Sequence, residues 1–342
     1  MNPVRTLLSA ACVATLLSVA APAFAEGEGE VNVYSYRQPF LVAPIFDAFT
    51  EETGIDVNVV HAKEGLVERL AAEGMNSPAD VLLVVDIGVL TAAVDQGLAR
   101  PVDSEVLTSR IPAADRDPDG EWFGLTNRAR IIVTSKERVE PGTVQTYADL
   151  ASPEMAGRVC TRSGKHNYMV ALIASQIAHE GAEATQAWLE GVKGNLARSP
   201  QGNDRAQVKA IAEGECDVAV INSYYMGAMA SDPEQQPWAD AVNIVFPDQD
   251  GNGTHMNVSG IIMTQASPNP ENAVKLMEFM VGDTAQQLYA EANHEYPVVE
   301  GIDRSELVAS WGDFKRDTLP LSDIATFRTE ASKMVDTVDY DG

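Results

Sequence analysis

Cysteine is nearly absent: three in 342 residues, at positions 12, 160 and 216. Such isolated thiols do not have the close spacing of a cysteine-based zinc site, and nothing marks one as a nucleophile. Basic residues are scarce too. Lysine and arginine total 24 against 50 acidic residues, for a formal net charge of −26. This argues against a nucleic-acid partner, which needs a positive surface to meet phosphates. The acidic residues are scattered, so the charge describes a solvated surface and not a metal site. No segment after the N-terminal leader approaches the ~18 uninterrupted apolar residues that mark a membrane span. His-Glu-x-x-His, Gly-x-Ser-x-Gly and the phosphate-binding loop are missing, and nothing selects a Ser-His-Asp set. There is no internal repeat and no low-complexity segment. The chain reads as a binding protein and not an enzyme.

Arg5, the apolar stretch 7–21 and Ala23-Phe24-Ala25 form an export signal with cleavage expected after Ala25. Residues 1–25 are therefore excluded from the fold, and a soluble, periplasmic protein is expected. A lipid anchor at Cys12 is disfavoured, because Ser9-Ala10-Ala11 lacks the leucine expected three residues before such a cysteine. Removing the leader leaves Cys160 and Cys216, an even pair that reads as one disulfide in an oxidising compartment. The mature length suggests two domains of roughly 100–200 residues each.

Strand and helix patterns alternate. Residues 31–34, 57–60 and 81–85 read as strands, and 39–53, 65–73 and 89–96 as helices. This βαβαβ order predicts a mainly parallel sheet of buried strands. The rhythm changes at 120–125, which leads into a strand at 129–134. Residues 158–160 open a second series with strands at 218–221, 242–246 and 258–263. The polar, glycine-rich stretch 248–254 reads as a surface link between domains. Helices at 270–281, 285–292 and 322–338 complete an α/β pattern.

The chemically distinctive feature is the adjacent pair Tyr224-Tyr225, within Val-Ile-Asn-Ser-Tyr-Tyr-Met-Gly. Phenolates are hard oxygen ligands suited to a small, highly charged cation, ferric iron above all. On a strand the two rings would point to opposite faces and be ordinary packing residues. Here a strand at 217–221 precedes Asn222-Ser223, which offers a helix N-cap. A strand-to-helix turn lets both phenols converge, and strand ends are where open α/β sheets bind ligands.

Several segments in order carry a wider likeness. They are Val33-Tyr34-Ser35-Tyr36-Arg37-Gln38-Pro39, Ser77-Pro78-Ala79-Asp80-Val81, residues 122–130, residues 157–164, Asn222-Ser223-Tyr224-Tyr225 and Gly253-Thr254-His255. Over essentially the whole mature chain the sequence resembles the periplasmic ferric-ion-binding proteins of ABC iron transporters, a branch of the type II solute-binding proteins. The resemblance implies a two-lobed α/β fold with a ligand cleft, lobe one at 26–126 and 253–302, lobe two at 127–252 and 303–342. Ligand would shift an open–closed hinge equilibrium.

It places the iron-binding tyrosines on Tyr168, Tyr224 and Tyr225. Some members add a histidine from the first βα loop, which here reads Arg37-Gln38-Pro39. Others add a glutamate after the third strand, where this chain has Val85 and Asp86. The implied branch binds Fe(III) with tyrosines and an anion, typically carbonate, and Arg37, Gln38 and Arg128 are the anion-holding candidates. Three phenolates balance three positive charges and leave open coordination positions, which an oxyanion held by planar guanidinium forks can fill. The implied partner is an inner-membrane ABC permease, with the binding protein a monomer. His166 reads as a loop histidine and His255 as a stabiliser of the interdomain crossing; His61 and Asp86 receive no role. A second reading keeps the fold for a small organic solute or anion gripped by Arg37 and Arg128. A secreted enzyme on an α/β scaffold is the third.

Overall fold

The computed structural model describes residues 29–342. The expected leader, its cleavage after Ala25 and Cys12 lie outside the described residues. The strands are β1 (Glu30–Ser35), β2 (Asp56–His61), β3 (Val81–Val84), β4 (Ala99–Arg100), β5 (Phe123–Ser135), β6 (Val159–Cys160), β7 (Val218–Asn222), β8 (Val242–Val245), β9 (Met256–Thr264) and β10 (Tyr296–Pro297). Their path runs β2-β1-β3-β9-β5-β7-β6, with β4 added to β9 and β8 and β10 to β5.

Strand β5 joins two half-sheets. Its 13 residues are all buried, and at strand rise they span roughly 43 Å. Residues from Phe123 to Ala129 pair with β9, whereas Arg130 to Thr134 pair with β7 and Ile132 to Ser135 with β8. The partner thus changes between Ala129 and Arg130. The apolar pattern predicts only 129–134, because Thr126, Asn127 and Arg128 interrupt it. These polar side chains are nevertheless buried and bonded: Thr126 Oγ1 donates to Glu295, Asn127 Nδ2 to Asp115 and Arg128 Nη1 to Ser259.

The mainly parallel sheet is found only in part. β1 pairs parallel with β2 and β3, and β6 with β7. The central pairings β3–β9, β9–β5, β5–β7 and β5–β8 are antiparallel. The reason is topological: β9 re-enters the first half-sheet from the second without a crossover helix. The helix expected at 322–338 is also interrupted. It forms as Leu321–Ala325 and Arg328–Val338, because the Thr326 and Phe327 amides turn back to Asp323 and Ile324. Arg328, thereby reoriented, pairs with Asp86 at 3.3 Å.

The first core packs Ile45, Phe46 and Phe49 of helix Pro39–Thr53 against β1, β3 and Leu276, Met277 and Met280. In another, Leu321, Ile324, Met334 and Val335 cover helix Asn167–Glu180. Among the described residues no helix is long and apolar enough to cross a membrane.

Cys160 on β6 and Cys216, just before β7, are disulfide-bonded with Cα atoms 5.9 Å apart. The bridge closes a loop of 56 residues, so chain entropy assigns it at most about 4 kcal/mol. Urea unfolding with and without reductant should show a loss of up to that size, and a mobility shift after thiol blocking.

Candidate functional site

Tyr168 is the second residue of helix Asn167–Glu180. His166 caps that helix, its Nδ1 accepting from the Tyr168 amide at 3.2 Å. Burial, with Arg162 adding to it, lowers the His166 pKa to about 4. The ring is therefore neutral near pH 7 and able to accept that bond.

Tyr224 and Tyr225 open helix Tyr224–Ala230 directly after β7. The side-chain cap expected from Asn222-Ser223 is not formed. Ser223 already has helical backbone angles, φ −56° and ψ −40°. Its Oγ accepts from the Ala129 amide at 3.2 Å, and Asn222 Oδ1 accepts from Arg130 at 3.0 Å. The turn is thus tied sideways to β5. Because Tyr224 is already helical, its neighbour is rotated by about 100° and not by the half-turn of a strand. The two rings lie 4.3 Å apart between centroids, and the Tyr168 and Tyr224 hydroxyls approach to 3.3 Å. Residues 56 positions apart in sequence therefore meet at one point.

The surroundings are cationic. Arg162, Arg128 and Arg130 lie 5.0, 5.5 and 5.9 Å from the Tyr168 ring centroid, and Arg205 lies 5.4 Å from that of Tyr225. Asp204, with no exposed surface, binds Arg130 and Arg162 at 2.8 Å each and accepts from the Asn222 amide at 2.8 Å. Burial pushes the Tyr224 hydroxyl well above its ordinary pKa, reinforced by Tyr168 and Tyr225 and opposed by Arg128. Tyr225 is raised for the same leading reason, with Tyr168 and Asp204 adding to it. Without a cation, both phenols are held protonated.

The tyrosines open onto a cavity of about 620 Å³ that Arg37, Gln38, Arg128, Ser259 and Glu295 also line. Arg37 is buried, and its two terminal nitrogens grip Glu295 at 3.1 and 2.7 Å. It also reaches Ser259 and Thr126. Arg128 donates to Ser259 at 3.0 Å and to the Val85 carbonyl, while its buried Nε has no partner. Gln38 sits at the N-cap position of helix Pro39–Thr53 without a side-chain cap bond, and its amide is exposed. Asp86 is turned away from the cavity: it caps the next helix through Gly88, accepts from Asn257 and pairs with Arg328. His166 does not line the cavity, and His61 reaches only the Arg37 carbonyl, at 3.1 Å.

Besides Arg130, Arg162 and Arg205, further participants were not found from sequence. Glu295 neutralises a guanidinium 258 residues away, Ser259 lies between two arginines, and Asp204 pairs with Arg130 and Arg162 beside the Tyr168 ring. No local spacing marks them; only the fold brings them in. Among the described residues no group of three or more His, Cys, Asp or Glu side chains is placed to hold a metal.

Residues 45–316 match the bacterial extracellular solute-binding protein family. The crystal structure of ferric iron-binding protein A from Mannheimia haemolytica, in an open conformation, is 54% identical, with a TM-score of 0.89 over 92% of this chain and 99% of that one. Iron uptake protein A1 of Synechocystis is 44% identical over 90% of this chain and 86% of its own. A Trichodesmium protein (IdiA, FutA) in complex with iron and citrate ligands is 40% identical, with a TM-score of 0.89 over 91% of this chain and 100% of that one.

Proposed function

Because the chain belongs to the bacterial extracellular solute-binding proteins, we propose that it is the ferric-iron-binding component of an ABC importer. It works in the periplasm without catalysing a reaction and hands its cargo to an inner-membrane permease. Fe(III) is bound by Tyr168, Tyr224 and Tyr225, with a synergistic anion such as carbonate. The observation that carries this reading is the meeting of the Tyr168 and Tyr224 hydroxyls at 3.3 Å, with the Tyr225 ring tilted against that of Tyr224, centroids 4.3 Å apart. The similarity to proteins named for ferric iron supports the cargo. The lobes are taken as 26–126 with 253–302, and 127–252 with 303–342.

The charge pattern refines the anion's place. Glu295 neutralises Arg37, so Arg37 acts as a fixed dipole beside the anion and not as its two-pronged clamp. The partnerless Nε atoms of Arg128 and Arg205, both lining the cavity, and the Gln38 amide are free donors. The N-terminal end of helix Pro39–Thr53, whose Phe40 and Leu41 line the cavity, adds a favourable dipole for negative charge.

Ferric loading of the purified protein should produce a visible charge-transfer band, with one iron per chain by elemental analysis. Iron must displace the phenol protons, so affinity should rise with pH. Three phenols allow up to about a thousandfold per pH unit, a limit set by proton competition at each ligand. Competition with a chelator of known acidity measures the slope. A colourless, iron-free protein after loading, or an affinity independent of pH, would defeat the proposal.

A further inference from the structure

A second cavity of about 360 Å³ shares no lining residue with the first. It lies against the return crossing between β8 and β9. Helix Asn167–Glu180 supplies His179 and Glu180, and Trp188 and Tyr147 form aromatic walls. The crossing supplies Asp248 and His255. Gly253, at φ +92°, lets this crossing press on the backbone at Arg316, which a Cβ there would meet at 2.7 Å.

The lining has an uneven polar character. Its charged side chains include carboxylates but no arginine or lysine. Asp317 is taken by His179 at 2.8 Å. Among the described residues Asp248 and Glu180 have no ion-pair partner, Asp248 being met by the Tyr147 amide. The aromatic donors are spent inside the protein. Trp188 Nε1 donates to the Tyr147 carbonyl at 2.8 Å, and the Tyr147 hydroxyl donates to the Arg130 carbonyl. His255 is only 2% exposed, and among the described residues neither ring nitrogen has a hydrogen-bond partner. Buried polar groups are ordinarily paired, and the unprotonated ring nitrogen of a neutral His255 is an acceptor that no described residue meets.

We propose that this cavity is a binding site for a small organic ammonium ion, held by Asp248, Glu180 and His255 with its carbon chain against Trp188. Each N–H of an ammonium needs one acceptor, and the cavity offers acceptors of both kinds, charged and neutral. Among the described residues no three His, Asp or Glu side chains are placed to share one metal ion, so the ligand is a cation whose N–H groups reach these acceptors singly. Burial lowers the His255 pKa to about 4, with Arg130 adding to it and Asp317, Asp86 and His179 also facing the ring. The imidazole is therefore neutral at pH 7, with one nitrogen free to accept and the other carrying the proton. Burial raises Asp248 to about 6, with Asp149 and Glu180 adding to it and the Tyr147 amide and His179 opposing. Its ionised, ligand-binding form is thus present above about pH 6 and lost below it.

Calorimetric titration of the full mature protein with methylammonium and 1,4-diaminobutane tests this, with tetramethylammonium as a cation lacking N–H groups. We expect saturable binding of the first two, none of the third, and weakening as pH falls through 6. His255→Leu and Asp248→Asn should each reduce affinity about tenfold or more, the loss of one charge-assisted or buried hydrogen bond. Glu180 is exposed, so Glu180→Gln gives a readout free of folding effects and should weaken the diamine most. No saturable binding at millimolar concentration overturns the proposal. So does equal binding of tetramethylammonium, or unchanged affinity in the folded variants. Ferric loading is scored separately by colour, so failure at one cavity is not read as failure at the other.

Discussion

Replacing Tyr224 and Tyr225 together with phenylalanine should abolish ferric binding and its colour while leaving the fold intact. Losing even an outer partner of a metal ligand typically reduces affinity 10–100-fold. Removing two ligands directly should exceed that, so a loss of more than about a thousandfold is expected. The rings themselves remain, tilted against each other with centroids near the present 4.3 Å, so packing of helix Tyr224–Ala230 against β7 is preserved. Both hydroxyls are held protonated mainly by burial, and removing them leaves no buried charge. Thermal unfolding of the iron-free variant should therefore match that of the parent closely. Retained ligand binding by the double variant would favour an organic solute gripped through arginines and aromatic faces. Tyr168→Phe alone should give an intermediate loss, because the pair opposite it still offers two oxygens.

The pair Tyr224-Tyr225 stood out as a candidate because chemistry and position coincided in a short segment, two phenols at a strand-to-helix turn, and Tyr168, supplied by family likeness, lies beside Tyr224. The elements around them were also legible where periodicity is strong. Helix Pro39–Thr53 has the bounds its apolar spacing implies, and the first three strands were recognised within a residue or two. What stayed hidden shares one physical cause. Polar residues inside β5 look like an interruption until Glu295, Asp115 and Ser259 arrive to satisfy them. Arg37 looks like a free anion clamp until Glu295 occupies it. Asp86 falls where others carry a ligand, yet Arg328 and Asn257 hold it elsewhere. In each case the deciding partner is more than a hundred residues away or on another element, and a one-dimensional pattern does not contain it. Helices Ala182–Gly194 and Asp204–Ala212 went unrecognised as well. The consequence was more than a missing element, since the second of them carries Asp204.

Asp204→Asn should be the most destabilising single conservative change near the site, at about 3–5 kcal/mol, because it leaves buried charge without its counterion. Arg130 is 2% exposed and Arg162 is 8% exposed, and both direct a guanidinium nitrogen at this one carboxylate. Asparagine keeps the shape and one acceptor but surrenders the charge. Two cations then face each other across a space that water enters poorly. Asp204 also begins a helix, where a negative side chain is favoured by the backbone dipole. Urea unfolding of the iron-free protein measures the loss, and a change below about 1 kcal/mol would mean that water reaches the arginines after all. The effect on metal binding should have the opposite sign. Asp204 opposes ionisation of both Tyr224 and Tyr225, and its removal leaves two positive charges unopposed near the phenols. The phenolates therefore form more readily, and the variant should retain ferric colour to lower pH than the parent while unfolding at lower urea. A merely structural role for Asp204 predicts that both measurements worsen together. Divergence of the two would identify this carboxylate as the group that sets how acidic the tyrosine site is.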